Sequence, residues 1–334
     1  MKKTLPSLLL LAFAVPLLGQ TPLVPPPILQ GGLVLPLFPP DSPFVKKDRL
    51  AEPEKYTMMK GVPGRIQSII NIHNPSIEFH PVDPGINTGT VVILAAGGGH
   101  TTLNVGTEGA DFVPFFYNYG VNTVILRNRL RVDGYNPQTD EVYDAQQAVR
   151  MVRVHAQEWN IDPNKIGIMG FSAGAELAAP AAVAFDDFDK TNSAATDPLA
   201  KISSRPDFVA LVYPGPTPFA RNADTAIPRN SPPAFITCAG TDDAQHALWA
   251  DQYFAAMLKA RVPNIEMHIY GDGVHANGLK DRNDTPFGTW QFRFVDWFRD
   301  LGFLGKPGVE TKAAKDVATH LAAPAGRGGR GGGE

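Results

Sequence analysis

Gly170-Phe171-Ser172-Ala173-Gly174 sets a serine between two glycines in the spacing G-x-S-x-G. An apolar run, Lys165 to Met169, precedes it, and an Ala-rich helical stretch, Ala173 to Ala184, follows. A strand, a tight turn and a helix in this order present a serine hydroxyl at a sharp bend, where only small neighbours avoid collision. Such a serine becomes a nucleophile once a base takes its proton. The same bend offers the N–H of Ala173 to the charge that develops on an attacked carbonyl oxygen.

The base must reach the serine from a loop at the same edge of a sheet. His275 meets that demand. It lies in Gly271-Asp272-Gly273-Val274-His275, directly after the apolar run Ile265 to Tyr270. His268 lies inside that run and reads as structural, while His155 and His246 fall on helical patterns. The acid that orients the imidazole belongs between serine and histidine in the chain. Gly240-Thr241-Asp242-Asp243 ends the run Ala234 to Ala239 and supplies two adjacent carboxylates. One would orient the ring, and the other would be solvated or cap the helix that starts near Ala244. The residues alone leave Asp242 and Asp243 both open.

Ala96-Gly97-Gly98-Gly99-His100 ends another apolar run, Thr90 to Ala95. Backbone N–H groups of such a loop can bind an oxyanion, and Gly98 and Gly99 are the expected donors. His100 reads either as a substrate contact or as a rim residue. Phosphate binding would need a P-loop Lys-Ser/Thr or a G-x-G-x-x-G spacing, and neither is present. No metal or cofactor is expected. The eight histidines are scattered, there is no H-E-x-x-H, and Asp186, Asp187 and Asp189 read as a solvated acidic loop.

The elements that would position these residues alternate. Apolar runs at Thr90–Ala95, Val121–Leu126, Lys165–Met169, Phe208–Tyr213, Ala234–Ala239 and Ile265–Tyr270 suit strands buried on both faces. Helical spacing fills Val142–Trp159, Ala244–Ala260 and Thr289–Leu301. The pattern predicts an α/β fold with a doubly wound, mostly parallel sheet and helices on both faces. Arg65–Asn71 and Ser76–Pro81 read as a hairpin around Asn74-Pro75.

Residues 1–20 read as a signal peptide: Lys2 and Lys3, a short apolar stretch broken by Pro6 and Pro16, then an exit near Gly19 or Gln20. That predicts a secreted or periplasmic protein with no stable membrane anchor. Residues 21–60 form a Pro-rich segment read as an extended strap. Residues 61–305 form the catalytic domain, and 306–334 a Gly/Arg-rich tail expected to be disordered. The chain has 334 residues and a net charge of -3, which gives no basic footprint for nucleic acid. Cys238 is the only cysteine, so no intrachain disulfide forms, and its apolar surroundings make it a buried small hydrophobe.

From about Ile70 to Leu301 the chain resembles bacterial α/β-hydrolases of the acetyl-xylan and feruloyl esterase type, which are secreted carbohydrate esterases. The resemblance lies in Gly97-Gly98-Gly99-His100 followed by Glu108-Gly109, in Gly120-Val121-Asn122, and in Leu126 to Leu130. It continues through Asp144-Ala145-Gln146-Gln147-Ala148-Val149-Arg150, Ile161-Asp162-Pro163, the serine turn, and Arg261-Val262-Pro263. It implies an α/β-hydrolase fold with Ser172 as nucleophile and His275 as base. The implied substrates are short acyl esters on plant polysaccharide or oligosaccharide. For the acid, the helix spacing and relatives with an Asp-Asp pair point to Asp242, whereas a G-x-x-D count points to Asp243. Asp242 is taken. His100 stands where the family has Tyr, Ala96 where it has Pro, and Ala276 where it has Gly. A general small-ester carboxylesterase, a serine peptidase and a non-catalytic binding protein on the same fold are the rival readings. The chain has no room for the large gating domain such peptidases carry.

Overall fold

The computed structural model describes residues 24–191, 199–241, 243–276, 278–279 and 285–324. Strands and helices alternate from the first third of the chain onward. The first half holds β1 (Leu33–Pro36), β2 (Lys55–Met58), β3 (Ile66–Ile70), β4 (Ser76–His80), β5 (Val91–Ala95), α1 (Phe112–Tyr117), β6 (Asn122–Arg127) and α2 (Asp140–Val154). The second half holds β7 (Ile166–Phe171), α3 (Ala175–Ala181), α4 (Phe185–Thr191), β8 (Phe208–Val212), α5 (Pro218–Arg221), β9 (Ala234–Ala239), α6 (Ala244–Lys259), β10 (Ile265–Tyr270), α7 (Trp290–Leu301) and α8 (Lys312–Ala322).

Eight strands form one sheet in the order β1-β4-β6-β5-β7-β8-β9-β10. From β6 to β10 every pairing is parallel, while β4 runs antiparallel to both β1 and β6. Strands β4 to β9 are buried along their whole length, so both faces are covered. Phe116 of α1 packs on Phe294 of α7, and α2 packs on α3. The six apolar runs of the sequence are β5 to β10, with ends shifted by at most two residues.

The order 6-5-7 matters for function. The chain leaves β5, pairs β6 on one side, then returns to pair β7 on the other. The crossovers after β5 and β7 therefore diverge, opening a crevice at the C-terminal ends of these two strands. The Gly-rich loop leaves β5 there, and Ser172 leaves β7.

Three expectations need correction. β3 and β4 do not form a hairpin. β3 pairs with β2 in a separate ribbon and is only partly buried, whereas β4 is buried throughout and inserts between β1 and β6. Both edges of β4 are taken by β1 and β6, so no edge is left for β3. The Pro75 carbonyl instead accepts from Leu37 N–H at 2.8 Å.

Residues 21–60 are not a separate segment either, because β1 is the edge strand of the main sheet. Buried Glu78 pins the chain before it, accepting from the N–H groups of Ile28 (2.6 Å) and Leu29 (2.9 Å) and from Arg127 Nη2 (2.9 Å). A buried carboxylate requires such partners.

Nor is 306–334 all tail. Residues 312–322 form α8, capped by Thr311 Oγ1, which accepts from Ala314 N–H at 3.0 Å. Ala313 and Val317 are its buried face. The Gly/Arg-rich stretch 325–334 and the leader at 1–20 lie outside the described residues. No helix among the described residues is long and apolar enough to cross a membrane.

Candidate active site

Ser172 follows directly on β7 with φ of 51°, in the left-handed region that a non-glycine residue rarely occupies. The flanking glycines permit this bend. A Cβ on Gly170 would lie 2.6 Å from Ala175 Cα, and one on Gly174 would lie 2.7 Å from Ala96 O. Helix α3 then starts at Ala175, so the local fold is the strand, bend and helix read from the sequence.

His275 lies on the loop after β10, and its Nε2 is 2.9 Å from Ser172 Oγ. Its Nδ1 is 2.9 Å from Asp243 Oδ2. The carboxylate beside the imidazole is therefore Asp243. Asp242, expected from the sequence as the acid, lies outside the described residues. The physical reason is directional. Asp243 sits at the position before α6, yet its side chain caps no helix N–H and is directed to histidines instead. Burial opposes its charge, but the hydrogen bonds of His246 and His275 outweigh this and hold the carboxyl below its ordinary range.

The sequence missed His246. It lies in the first turn of α6, and its Nδ1 contacts the other oxygen of Asp243. Its ring stacks on that of His275, with centroids 4.0 Å apart and planes 28° apart. The available signal was the spacing of three between Asp243 and His246, which places both on one side of a helix start.

The Gly-rich loop is held by its carbonyls. Gly97 O accepts from Asn104 N–H at 2.9 Å, and Gly98 O from Thr101 N–H at 3.1 Å. No peptide bond among the described residues is cis. The N–H groups of Gly98 and Gly99 therefore point opposite to those carbonyls, away from the loop's own turn. Gly97 N–H is already committed to Glu108 Oε2 at 2.7 Å.

Glu108 is a second residue the sequence did not single out for a role. It is 1% exposed and accepts from Gly97 N–H and from Tyr213 O–H at 2.8 Å. Burial pushes its carboxyl upward, against the pull of Tyr213 and Gly97. Tyr213, just past β8, also accepts from Gly278 N–H at 3.2 Å, and its ring meets His275 edge-on at 5.0 Å. Glu108 lies in a short π-helical segment, Gly106–Ala110. The Glu108-Gly109 pair in the family resemblance was its only signal.

His100 is neither a rim residue nor free to contact substrate through its ring nitrogens. Its Nδ1 lies 2.8 Å from Glu141 Oε2, and its Nε2 lies 3.3 Å from Glu176 Oε1. Burial opposes its charge, yet the two carboxylates outweigh this and push it up to about 9. It ties the Gly-rich loop to α2 and α3. Asp186, Asp187 and Asp189 lie on α4 and not in a loop, and Asp189 pairs with Arg150. Cys238 is a fully buried free thiol, pushed up to about 12 by burial.

A mostly parallel sheet with a strained serine after one central strand and a histidine after the last defines the α/β-hydrolase fold. The chain has the α/β-hydrolase fold, and its residues 84–232 match the family model BD-FAE. It is 28% identical over 222 residues to endo-1,4-beta-xylanase B of Butyrivibrio fibrisolvens, covering 60% of this chain and 34% of that protein. It is 26% identical over 277 residues to the acetylxylan esterase of Xylanibacter ruminicola, covering 75% of this chain and 50% of that protein. The chain thus spans about a third and a half of these two relatives. Among solved structures, an acetyl ester-xyloside bifunctional hydrolase from Caldicellulosiruptor lactoaceticus is 25% identical, with a TM-score of 0.63. That match covers 85% of this chain and 99% of the other.

Proposed function

We propose that this protein is a serine esterase acting on short acyl esters of plant polysaccharide such as xylan. The observation that carries the reading is the continuous contact from Ser172 Oγ through His275 to Asp243, at 2.9 Å in each step.

His275 Nε2 takes the proton of Ser172 Oγ as that oxygen attacks the ester carbonyl. Asp243 accepts from Nδ1–H, fixes the tautomer and stabilises the imidazolium that forms. The N–H groups of Ala173, Gly98 and Gly99 donate to the tetrahedral oxyanion, where each such donor is worth roughly 10²–10³ in rate. His275 returns the proton to the leaving alcohol. It then deprotonates a water, which releases the acyl group as a carboxylate.

The polysaccharide assignment is supported by the names of the relatives above and by the family resemblance in the sequence. A leader at residues 1–20 would carry the enzyme to the periplasm or beyond, where such polymers are met. The test is acetate and ferulate release from decorated polysaccharides by wild type and Ser172→Ala. Release by wild type alone supports the reading, and equal release by both defeats it. Turnover of free alkyl esters with no gain on acetylated xylan would make it a general carboxylesterase. Failure of a fluorophosphonate probe to label Ser172 would favour a binding protein on this fold.

A further inference from the structure

Asp243 is shared between two histidines. Its Oδ1 meets His246 Nδ1, and its Oδ2 meets His275 Nδ1 at 2.9 Å. One ligand atom from each of the three residues lies within 4.8 Å of the other two. No other such group of His, Cys, Asp and Glu is found among the described residues.

Two imidazoles and a carboxylate are a donor set suited to zinc and similar borderline divalent cations, and poorly suited to the oxygen-seeking Mg²⁺ or Ca²⁺. Asp243 and His246 are three residues apart at the start of α6, so they chelate from one element. Solvent can deliver the ion, because the side chains of His246 and His275 are 22% and 33% exposed. Asp243 is 6% exposed, and its two oxygens face the two rings.

We propose that Asp243, His246 and His275 form an inhibitory site for a zinc-class divalent cation. The inhibitory consequence rests on the serine-esterase reading above, whereas the binding does not. The metal takes one carboxylate oxygen, a lone pair from the His246 ring and the Nδ1 lone pair of His275. The hydrogen on His275 Nδ1 passes through water to Nε2, so a neutral ring stays neutral and no electron is transferred. Nε2 then faces Ser172 Oγ as a donor and cannot accept the serine proton. Coordination thus removes the base without touching the serine.

The experiment uses zinc chloride and the full chain. Calorimetry on Ser172→Ala should show one zinc per chain, and His246→Gln in the same background should weaken binding more than about tenfold. Cobalt(II) should give a visible absorption band that His246→Gln loses, with His246→Asn as a second variant and thermal unfolding as the check on folding. Ester hydrolysis by wild type should fall roughly tenfold at about ten times the zinc dissociation constant and recover with EDTA. The His246 variants, each compared with its own metal-free rate, should resist. Absence of zinc binding to Ser172→Ala, or equal binding and inhibition with and without His246, overturns the proposal. If zinc binding depends on His246 but wild type hydrolyses no ester, the metal site stands and the esterase reading falls.

Discussion

Glu108 and Tyr213, 105 residues apart in the chain, share a hydrogen bond of 2.8 Å beside the serine–histidine pair. The carboxylate uses its second oxygen to hold Gly97 N–H. Gly97 in turn abuts Ser172, since a Cβ there would stand 2.9 Å from the serine Cβ. Tyr213 meets His275 ring to ring. One buried carboxylate thus ties together the loop, the serine and the histidine, which arrive from three separate strand ends.

Glu108→Gln should disturb this junction with little change in volume. The carboxylate accepts from two donors, whereas the amide can accept at its oxygen only. One buried donor is left unpaired, at a cost of about 1–3 kcal/mol. The expected outcome is a lower unfolding temperature together with roughly tenfold slower labelling of Ser172 by a fluorophosphonate. Unchanged labelling would remove Glu108 from the account.

Asp243→Asn should lower kcat/KM by about 10³–10⁴, because the amide favours the wrong imidazole tautomer. Asp242→Asn should stay within roughly threefold of wild type, because Asp243 already fills the place beside His275 Nδ1. Steady-state kinetics on a soluble acetyl ester separates the two. The reverse ranking would return the acid to position 242.

Gly97→Ala tests the close approach of the loop to the serine. Its Cβ would stand 2.7 Å from Phe171 O, so backbone must move. Overpacking of this kind costs about 1–3 kcal/mol, and a displaced serine loses roughly a hundredfold in kcat. Wild-type kinetics and stability in Gly97→Ala would contradict the packing described.

His100 predicts a pH dependence of stability. Its folded value, about 9, lies above the ordinary 6.5. The folded state therefore binds the proton more tightly than the unfolded chain. The stabilisation is full below about pH 6.5 and is lost as pH rises through about 9. After allowance for solvent screening it amounts to about 1–2 kcal/mol. Unfolding temperatures measured from pH 6 to 10 should fall across this window in wild type and change less in His100→Gln.

Much of the architecture is written locally. Strands β5 to β10 are continuous apolar runs, and each ends in glycine, charge or a tight turn within a residue or two. The elbow is legible because only small residues tolerate the bend at Ser172, so the glycines mark it in the chain itself. His275 is legible from its place after the last strand. The N-terminal strand was not, because Pro-rich sequence reads as a strap until Glu78 and Arg127 are seen to hold it. Helix α8 was hidden by its neighbourhood, since only Ala323 and Pro324 lie between it and the stretch from 325 on, where glycine and arginine dominate.

The succession of β5 to β10 along the chain, the serine at its bend and the histidine that should meet it are properties of the sequence by itself, because each depends on a few neighbouring residues and on hydrophobic period. Partnership was decided only in three dimensions. Which aspartate faces His275, which carboxylate braces Gly97, why His100 is enclosed and why His246 stacks on His275 all turn on side-chain direction at residues far apart in the chain. Direction at a loop is set by how β9, β10 and α6 pack, and adjacent residues such as 242 and 243 carry the same chemistry. Only the packed sheet sets Asp243 against His275.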